Sequence, residues 1–269
     1  MIKGENSVNY GQGFVRSKPK RKIWKWLLIS VSSLVIVLVV GLTVAYQVMK
    51  YEPLEEAKQA LVSDSAATVT TVKDGFRFEP TDGEINQPTV IFYPGGLVDA
   101  ESYAPLARKL SEAGHRVYIA KMPFDLAIFG QNRAKDLIAE HPEDTYVIGG
   151  HSLGGVFASR FAAVNTDKIS GVFFLGSYAD EGGSLKDSNL EILQVTASKD
   201  AVLNWSTWEQ SKQNLPAEKT KYVSIDGGNH GQFGSYGQQK GDNEADITPK
   251  QQLEQISSAI LNWLPTTQK

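Results

Sequence analysis

The tightest constraint in this 269-residue chain is a hexapeptide, Gly150-His151-Ser152-Leu153-Gly154-Gly155. It lies between the apolar run Tyr146-Val147-Ile148 and a helix-like run from Leu153 to Val164. A strand that turns this sharply into a helix forces the residue between them into a strained backbone conformation with its side chain exposed. Gly150 and Gly154 leave room for the close approach, where a Cβ would collide. The same turn aims the first free N–H groups of the helix at whatever Ser152 attacks, and the amide of Leu153 can bind a developing oxyanion there. Short Gly-x-Ser-x-Gly strings also arise by chance, so the strand before and the helix after are what give this one meaning.

A serine hydroxyl is a weak nucleophile at neutral pH and needs a histidine base oriented by a carboxylate. The chain has four histidines. His151 lies inside the turn, with its side chain expected to project away from Ser152. His115 opens the strand Arg116 to Ala120, and His141 follows a helix end at Glu140-His141-Pro142. These three read as structural or solvated. His230 closes the strand-and-loop segment Val223 to His230, where a base can reach a serine at the carboxyl edge of a parallel sheet. Two carboxylates compete for the third role. Asp200 follows the apolar strand Ile192 to Ala197 and could equally cap a helix beginning at Ala201. Asp180, with Glu181 beside it, follows the strand Gly171 to Tyr178. A second oxyanion donor is expected after the buried strand Pro88 to Tyr93, in the loop Pro94-Gly95-Gly96-Leu97-Val98. The amide of Leu97, with Gly96 beside it, is the expected donor, although paired glycines also suit an ordinary turn.

Beyond the turn, apolar strands near 89–93, 116–120, 145–149, 170–175, 191–196 and 220–225 alternate with helical patterns near 101–113, 126–140, 153–164, 201–213 and 249–263. Such alternation predicts an α/β fold with a mostly parallel central sheet covered by helices on both faces. Thr68 to Val72 and Phe76 to Phe78, around Lys73-Asp74-Gly75, predict a hairpin ahead of it.

Together, Tyr93-Pro94-Gly95-Gly96, the Ser152 hexapeptide, Ser198-Lys199-Asp200 and Gly228-Asn229-His230 resemble the α/β-hydrolase superfamily, over about residues 66 to 264. They most resemble membrane-tethered bacterial serine hydrolases of undefined substrate. The resemblance implies the α/β-hydrolase fold and a triad in the chain order Ser152, Asp200, His230, with Asp200 preferred over Asp180 because the next strand carries the acid in that arrangement. It implies cleavage of a carboxylic ester or other small acyl substrate through an acyl-enzyme, with no cofactor. Acyl transfer or peptide cleavage would use the same residues, and a surface protein that keeps the fold only for binding is the rival reading. In one respect the chain departs from many lipases and esterases: a Tyr-Pro pair precedes the glycines in place of a His-Gly oxyanion loop. Only the short, Gly- and Ser-rich stretch Ala179 to Leu190 is available where many lipases carry a helical cap, so no large cap and an open, shallow pocket are expected.

From Trp26 to Val48 run 23 residues without a charge, about 34 Å as a helix, enough to cross a hydrocarbon core. The resulting division is a basic leader (1–22), a transmembrane helix (23–49), a stalk or short helix (50–65) and the hydrolase domain (66–269). Lys18, Lys20, Arg21, Lys22 and Lys25 precede the span, whereas Lys50 stands alone after it and Glu52, Glu55 and Glu56 follow. This asymmetry predicts a cytoplasmic amino terminus and an extracellular catalytic domain. A cleaved signal peptide is the alternative, against which stand the long polar leader and the lack of a clear small-x-small site near Ala45.

Residues 51–269 carry 19 basic and 29 acidic side chains, a net charge of −10 that disfavours nucleic acid as a partner. The absence of cysteine excludes disulfides, thiolate metal sites and a cysteine nucleophile. Asp242, Glu244 and Asp246 lack the ligand spacing of a calcium loop, so no metal is expected. The surrounding stretch, Gly231 to Asp246, reads either as a wall of the substrate site or as a solvated connection. Trp205 and Trp208 read as core or pocket wall.

Overall fold

The computed structural model describes residues 11 and 21–264 of the chain, with side chains from Trp24 onward, and divides near Val48 into two units. The basic leader therefore lies almost wholly outside the described residues. In the first unit, α1 (Arg21–Met49) is a helix whose segment Trp24–Met49 contains an 18-residue stretch with a mean hydropathy of 2.8 and no buried residue. Its length and composition suffice to cross a bilayer.

The second unit begins with α2 (Glu55–Ala60) and the hairpin β1 (Ala67–Val72) and β2 (Gly75–Pro80), followed by β3 (Asn86–Tyr93), α3 (Ala104–Glu112), β4 (His115–Ala120) and α4 (Arg133–Ile138). Then come β5 (Tyr146–His151), α5 (Leu153–Ala163), β6 (Ile169–Leu175), β7 (Glu191–Ala197), α6 (Trp205–Ser211), β8 (Thr220–Ile225) and α7 (Pro249–Trp263). The eight strands form one sheet in the order β1-β2-β4-β3-β5-β6-β7-β8. The hairpin is antiparallel and β2 pairs antiparallel with β4; from β4 to β8 every pairing is parallel.

The strand sequences explain the two-sided cover. In β3, Val90 and Phe92 join one buried cluster while Ile91 and Tyr93 join the other, as the period-two alternation of a strand dictates. On the first face these residues meet Leu106 and Leu110 of α3 and Ile256, Ile260 and Trp263 of α7. On the second they meet Ala134 and Leu137 of α4 and Phe157, Phe161 and Ala162 of α5. Helix α7 starts with Thr248 and Gln251 in a reciprocal capping box and with proline in its first turn, satisfying amides that would otherwise lack partners.

Two helices differ from expectation. The helix expected over 126–140 is reduced to α4 preceded by short 3-10 turns, because Pro123 and Gly130 interrupt the chain there. The helix expected from Ala201 begins at Trp205, where Asn204 rather than Asp200 supplies the cap, accepting from the Thr207 amide. The segment 50–65 forms α2 and docks on the sheet unit: Tyr51 pairs in parallel with Val98, and Ala57 and Ala60 are buried.

Between β6 and β7 there is one 3-10 turn, Glu181–Gly183, and no helical cap. A hollow of about 900 Å³ lies at the amino-terminal ends of β6 and β7, bordered by Lys168, Ile169 and Glu191, at the edge of the sheet opposite Ser152.

Candidate active site

Ser152 stands between β5 and α5 with φ 50° and ψ −123°, a left-handed backbone at a residue that carries a side chain. Such a conformation costs on the order of 1–3 kcal/mol and persists only where the surroundings enforce it. The enforcement here is steric closeness. A Cβ on Gly154 would lie 2.1 Å from the Tyr93 carbonyl oxygen, and one on Gly150 would lie 2.6 Å from the same atom. Ser152 is only partly buried, its amide donates to the Leu175 carbonyl at 3.0 Å, and its own carbonyl accepts from the Ser177 hydroxyl at 2.6 Å.

Asp200 and His230 come together at the ends of β7 and β8. His230 Nδ1 lies 2.7 Å from Asp200 Oδ2, and both side chains are buried, to 1% and 4% relative exposure. The other carboxylate oxygen, Oδ1, accepts the Val202 and Leu203 amides at 2.9 and 2.7 Å, which fixes the orientation of the group. Asp180 is engaged elsewhere: its oxygens accept from Arg160 and from the Gly183 amide. The pair adjoins the Ser152 turn through Gly176, the residue after Leu175. A Cβ on Gly176 would stand 3.0 Å from His230 Nδ1 and 3.1 Å from Asp200 Oδ2. Among the described residues, His230 Nε2 is buried without a hydrogen-bond partner, so no bond joins it to Ser152 Oγ in this structure. Such contacts are often long in a protein without substrate.

Of the two amides expected as the second oxyanion donor, Leu97 and Gly96, the first is engaged elsewhere. The Leu97 amide donates to the Asp125 carbonyl at 2.8 Å and is already used, and Leu97 itself takes a left-handed φ of 59°. Among the described residues, the amides of Gly96 and Leu153 have no hydrogen-bond partner, and the two residues adjoin: a Cβ on Gly96 would lie 3.2 Å from Leu153 Cδ2.

Sequence reasoning missed how deeply His151 is involved. Its ring is fully buried, 4.4 Å centroid to centroid from that of His230, and its Nδ1 lies 2.8 Å from the Tyr103 hydroxyl. The same hydroxyl accepts the Gly95 amide at 3.0 Å, so Tyr103 links the glycine loop to the serine turn. Burial and the neighbouring His230 hold His151 well below the usual imidazole range, and burial raises the Tyr103 phenol. Tyr103 falls in the helical pattern 101–113, and spacing alone gives no sign of its hydroxyl's partners.

The stretch Gly231 to Asp246 acts as a clamp. Asp242 accepts the Gly231 amide at 2.9 Å and the Ala201 amide at 3.0 Å, and Asn243 donates to the Lys199 carbonyl at 3.0 Å. These bonds tie the loop bearing Asp200 to the loop bearing His230. From α7, Gln252, fully buried, holds both backbone groups of Asn229 at 3.0 and 2.8 Å. Trp205 donates to the Asp200 carbonyl at 2.9 Å, and Trp208 to Gln194 at 3.0 Å; Trp205 is exposed and Trp208 half-buried, so neither indole lies in the core.

With this arrangement established, residues 89–254 match the model of the α/β-hydrolase family. The chain belongs to that family. Solved structures share the fold at low identity. Est1E from Butyrivibrio proteoclasticus is 15% identical over 74% of this chain and 99% of that one, with a TM-score of 0.53. A predicted CIB-like hydrolase from Thermoplasma acidophilum is 14% identical over 73% and 97%, at 0.54. A thermostable esterase from Pseudomonas putida is 16% identical over 79% and 88%, at 0.55. No curated protein matches the sequence.

Proposed function

We propose that this α/β-hydrolase family member is a serine hydrolase of carboxylic esters, held at a membrane by α1 with its catalytic unit on the outer side. The observation that carries the catalytic reading is the buried Asp200–His230 pair, at 2.7 Å, with an unpartnered Nε2 and an imidazole 4.4 Å, ring to ring, from His151 of the strained Ser152 turn. Nε2 takes the Ser152 proton as Oγ attacks the acyl carbon, and the contact closes when substrate is bound. Asp200 fixes the tautomer through Nδ1 and stabilises the imidazolium that forms. The Gly96 and Leu153 amides, both free in the folded protein, receive the oxyanion. His230 then returns the proton to the leaving alcohol, a water attacks the acyl-enzyme with the same base, and the acid is released.

The esterase names of the fold neighbours agree with this substrate class, and the departure of the Tyr-Pro pair from a His-Gly loop does not disturb it, since the donors are backbone groups. Anchoring is supported by the length and hydropathy of Trp24–Met49, and the outward orientation by the five basic residues Lys18 to Lys25 before the span. Without a cap between β6 and β7 the site has no acyl tunnel, so monomeric esters gain little from added methylenes, each worth about 0.8 kcal/mol only when buried. The test is hydrolysis of dispersed acyl esters by the full chain. Two- to four-carbon acyl groups should turn over faster than twelve-carbon ones, and Ser152→Ala should abolish both; activity that survives Ser152→Ala rejects the reading.

A further inference from the structure

The loop after β4 carries an apolar patch that the hydrolytic machinery does not use. Phe124, Ile128 and Phe129 are 69%, 55% and 61% exposed, while Ala127 between them is buried. The Phe124 and Phe129 rings meet edge-on at 5.9 Å, so the three form one patch rather than scattered exposures. Phe124 and Asp125 are consecutive non-glycine residues in the left-handed region, with φ 54° and 50°. Backbone strain of this kind is retained only where surrounding contacts over-determine it.

The same loop forms one wall of the site. The Asp125 carbonyl accepts the Leu97 amide, and Leu126 lies against Gly96 beside Leu153, with its Cδ2 3.7 Å from a Cβ built on Gly96. This loop and the glycine loop are also joined to Lys50 and Tyr51, the residues that follow α1 in the chain. Tyr51 is bonded to this glycine loop, its amide to the Leu97 carbonyl at 2.8 Å and its carbonyl to the Asp99 amide at 3.0 Å. Lys50 reaches Asp99 at 2.7 Å and Asp125 at 3.7 Å. Burial pulls the Lys50 ammonium down, but the hydrogen bond to Asp99 and the charges of Asp99 and Asp125 outweigh it, and the group stays charged. Three residues from Val48 to Tyr51 span at most about 11 Å. The covalent chain alone therefore keeps Tyr51, which is bonded to the glycine loop, within that distance of Val48.

We propose that the loop 123–129 docks its Phe124, Ile128 and Phe129 side chains into the lipid leaflet at which α1 emerges, and that the Ser152 site takes acyl esters resident in that leaflet. The proposal rests on the hydrolase and anchor readings above. The bilayer is the occupant the surroundings favour, because an exposed apolar patch within reach of a membrane span meets lipid first. The net charge of −10 over residues 51–269 gives no attraction to anionic headgroups, which leaves apolar insertion as the binding contact. The absent acyl tunnel fits as well: a leaflet ester keeps its chains in the bilayer and has only to raise its carbonyl to Ser152.

The natural chain lacks cysteine, so Ile128→Cys provides a single site for an environment-sensitive fluorophore in the full-length protein, reconstituted in phosphatidylcholine vesicles. Val164→Cys, 78% exposed at the far end of α5, is the control. Spin-labelled phosphatidylcholine should quench the label at 128 by half or more and leave that at 164 unquenched; no quenching at 128, or equal quenching at both, overturns the proposal. In a second arm, Phe124→Ser/Phe129→Ser should lower turnover of a long-chain fluorogenic ester dissolved in the vesicles at least tenfold, while a soluble butyrate ester changes less than twofold. Equal losses on both esters, or no loss on the vesicle ester, overturn it. Quenching at 128 with neither ester cleaved supports docking while rejecting the hydrolase reading, so the two fail separately.

Discussion

The two halves of the candidate site reach the same edge of the sheet by different physical means. Ser152 is held by backbone: a positive φ, the start of a helix, and glycines of the same hexapeptide packed against the Tyr93 carbonyl at the end of β3. Asp200 and His230, thirty residues apart, are held by side chains. Asp200 is fixed by two amides and the imidazole, and the His230 loop by Asp242 and Gln252. The first kind of restraint is local and rigid, and sensitive to volume. The second is long-range and sensitive to hydrogen-bonding capacity, so the two halves should fail differently.

The largest effect is expected where both halves meet. Ser152→Ala and His230→Ala should each lower kcat/KM by about 10⁴-fold or more, roughly 5 kcal/mol of transition-state stabilisation, and the double variant should be little worse than either. Neither should move Tm by more than about 4 °C, as thermal melts will check. Within the acid–base half, Asp200→Asn should cost about 10³- to 10⁴-fold in kcat by disturbing the imidazole tautomer. Asp180→Asn, which loses only a partly exposed partner of Arg160, should change kcat less than about threefold. Steady-state kinetics on one short-chain ester decides between the two carboxylates, and the reverse ranking would make Asp180 the acid.

The elbow half should instead respond to a single methyl group. Gly154→Ala drives a Cβ to 2.1 Å from a backbone oxygen that cannot swing away, and it should cost about 3 kcal/mol in denaturant unfolding. An unchanged midpoint would mean the turn is not sterically enforced.

The smallest effect concerns His151, where the halves touch. Its folded value lies well below that of an unfolded imidazole, near 6.5, so the unfolded chain takes up the proton first as pH falls. This contribution to stability is complete above about pH 6.5 and declines below it, by up to about 1.4 kcal/mol per pH unit. Unfolding free energies measured from pH 7.5 to 5 should fall more steeply in the natural protein than in His151→Leu.

The same contrast explains what was legible in the sequence. The six main strands were readable because each is an apolar run bounded by turn residues, and the serine turn because its steric requirements fit in one hexapeptide. The choice between Asp200 and Asp180 was not readable from the residues themselves. Both follow strands, and only the tertiary pairing with His230 or Arg160 separates them. The Tyr103 link to Gly95 and His151, and the clamp by Asp242 and Gln252, were invisible for the same reason: each joins segments far apart in the chain. The engagement of the Leu97 amide by the Asp125 carbonyl was not readable either, since it too joins segments far apart in the chain. The shortened helices after Pro123 and Asp200 reflect local turns and caps that hydrophobic periodicity does not register.

The central claim is that Ser152 is a nucleophile activated by the distant pair, and intact-mass analysis of the full-length protein after treatment with a fluorophosphonate tests it most directly. The account predicts one adduct per chain, mapping to Ser152, absent from Ser152→Ala and formed at least a hundredfold more slowly in His230→Ala. No adduct on the natural protein, or an adduct that forms at the same rate without His230, would contradict it.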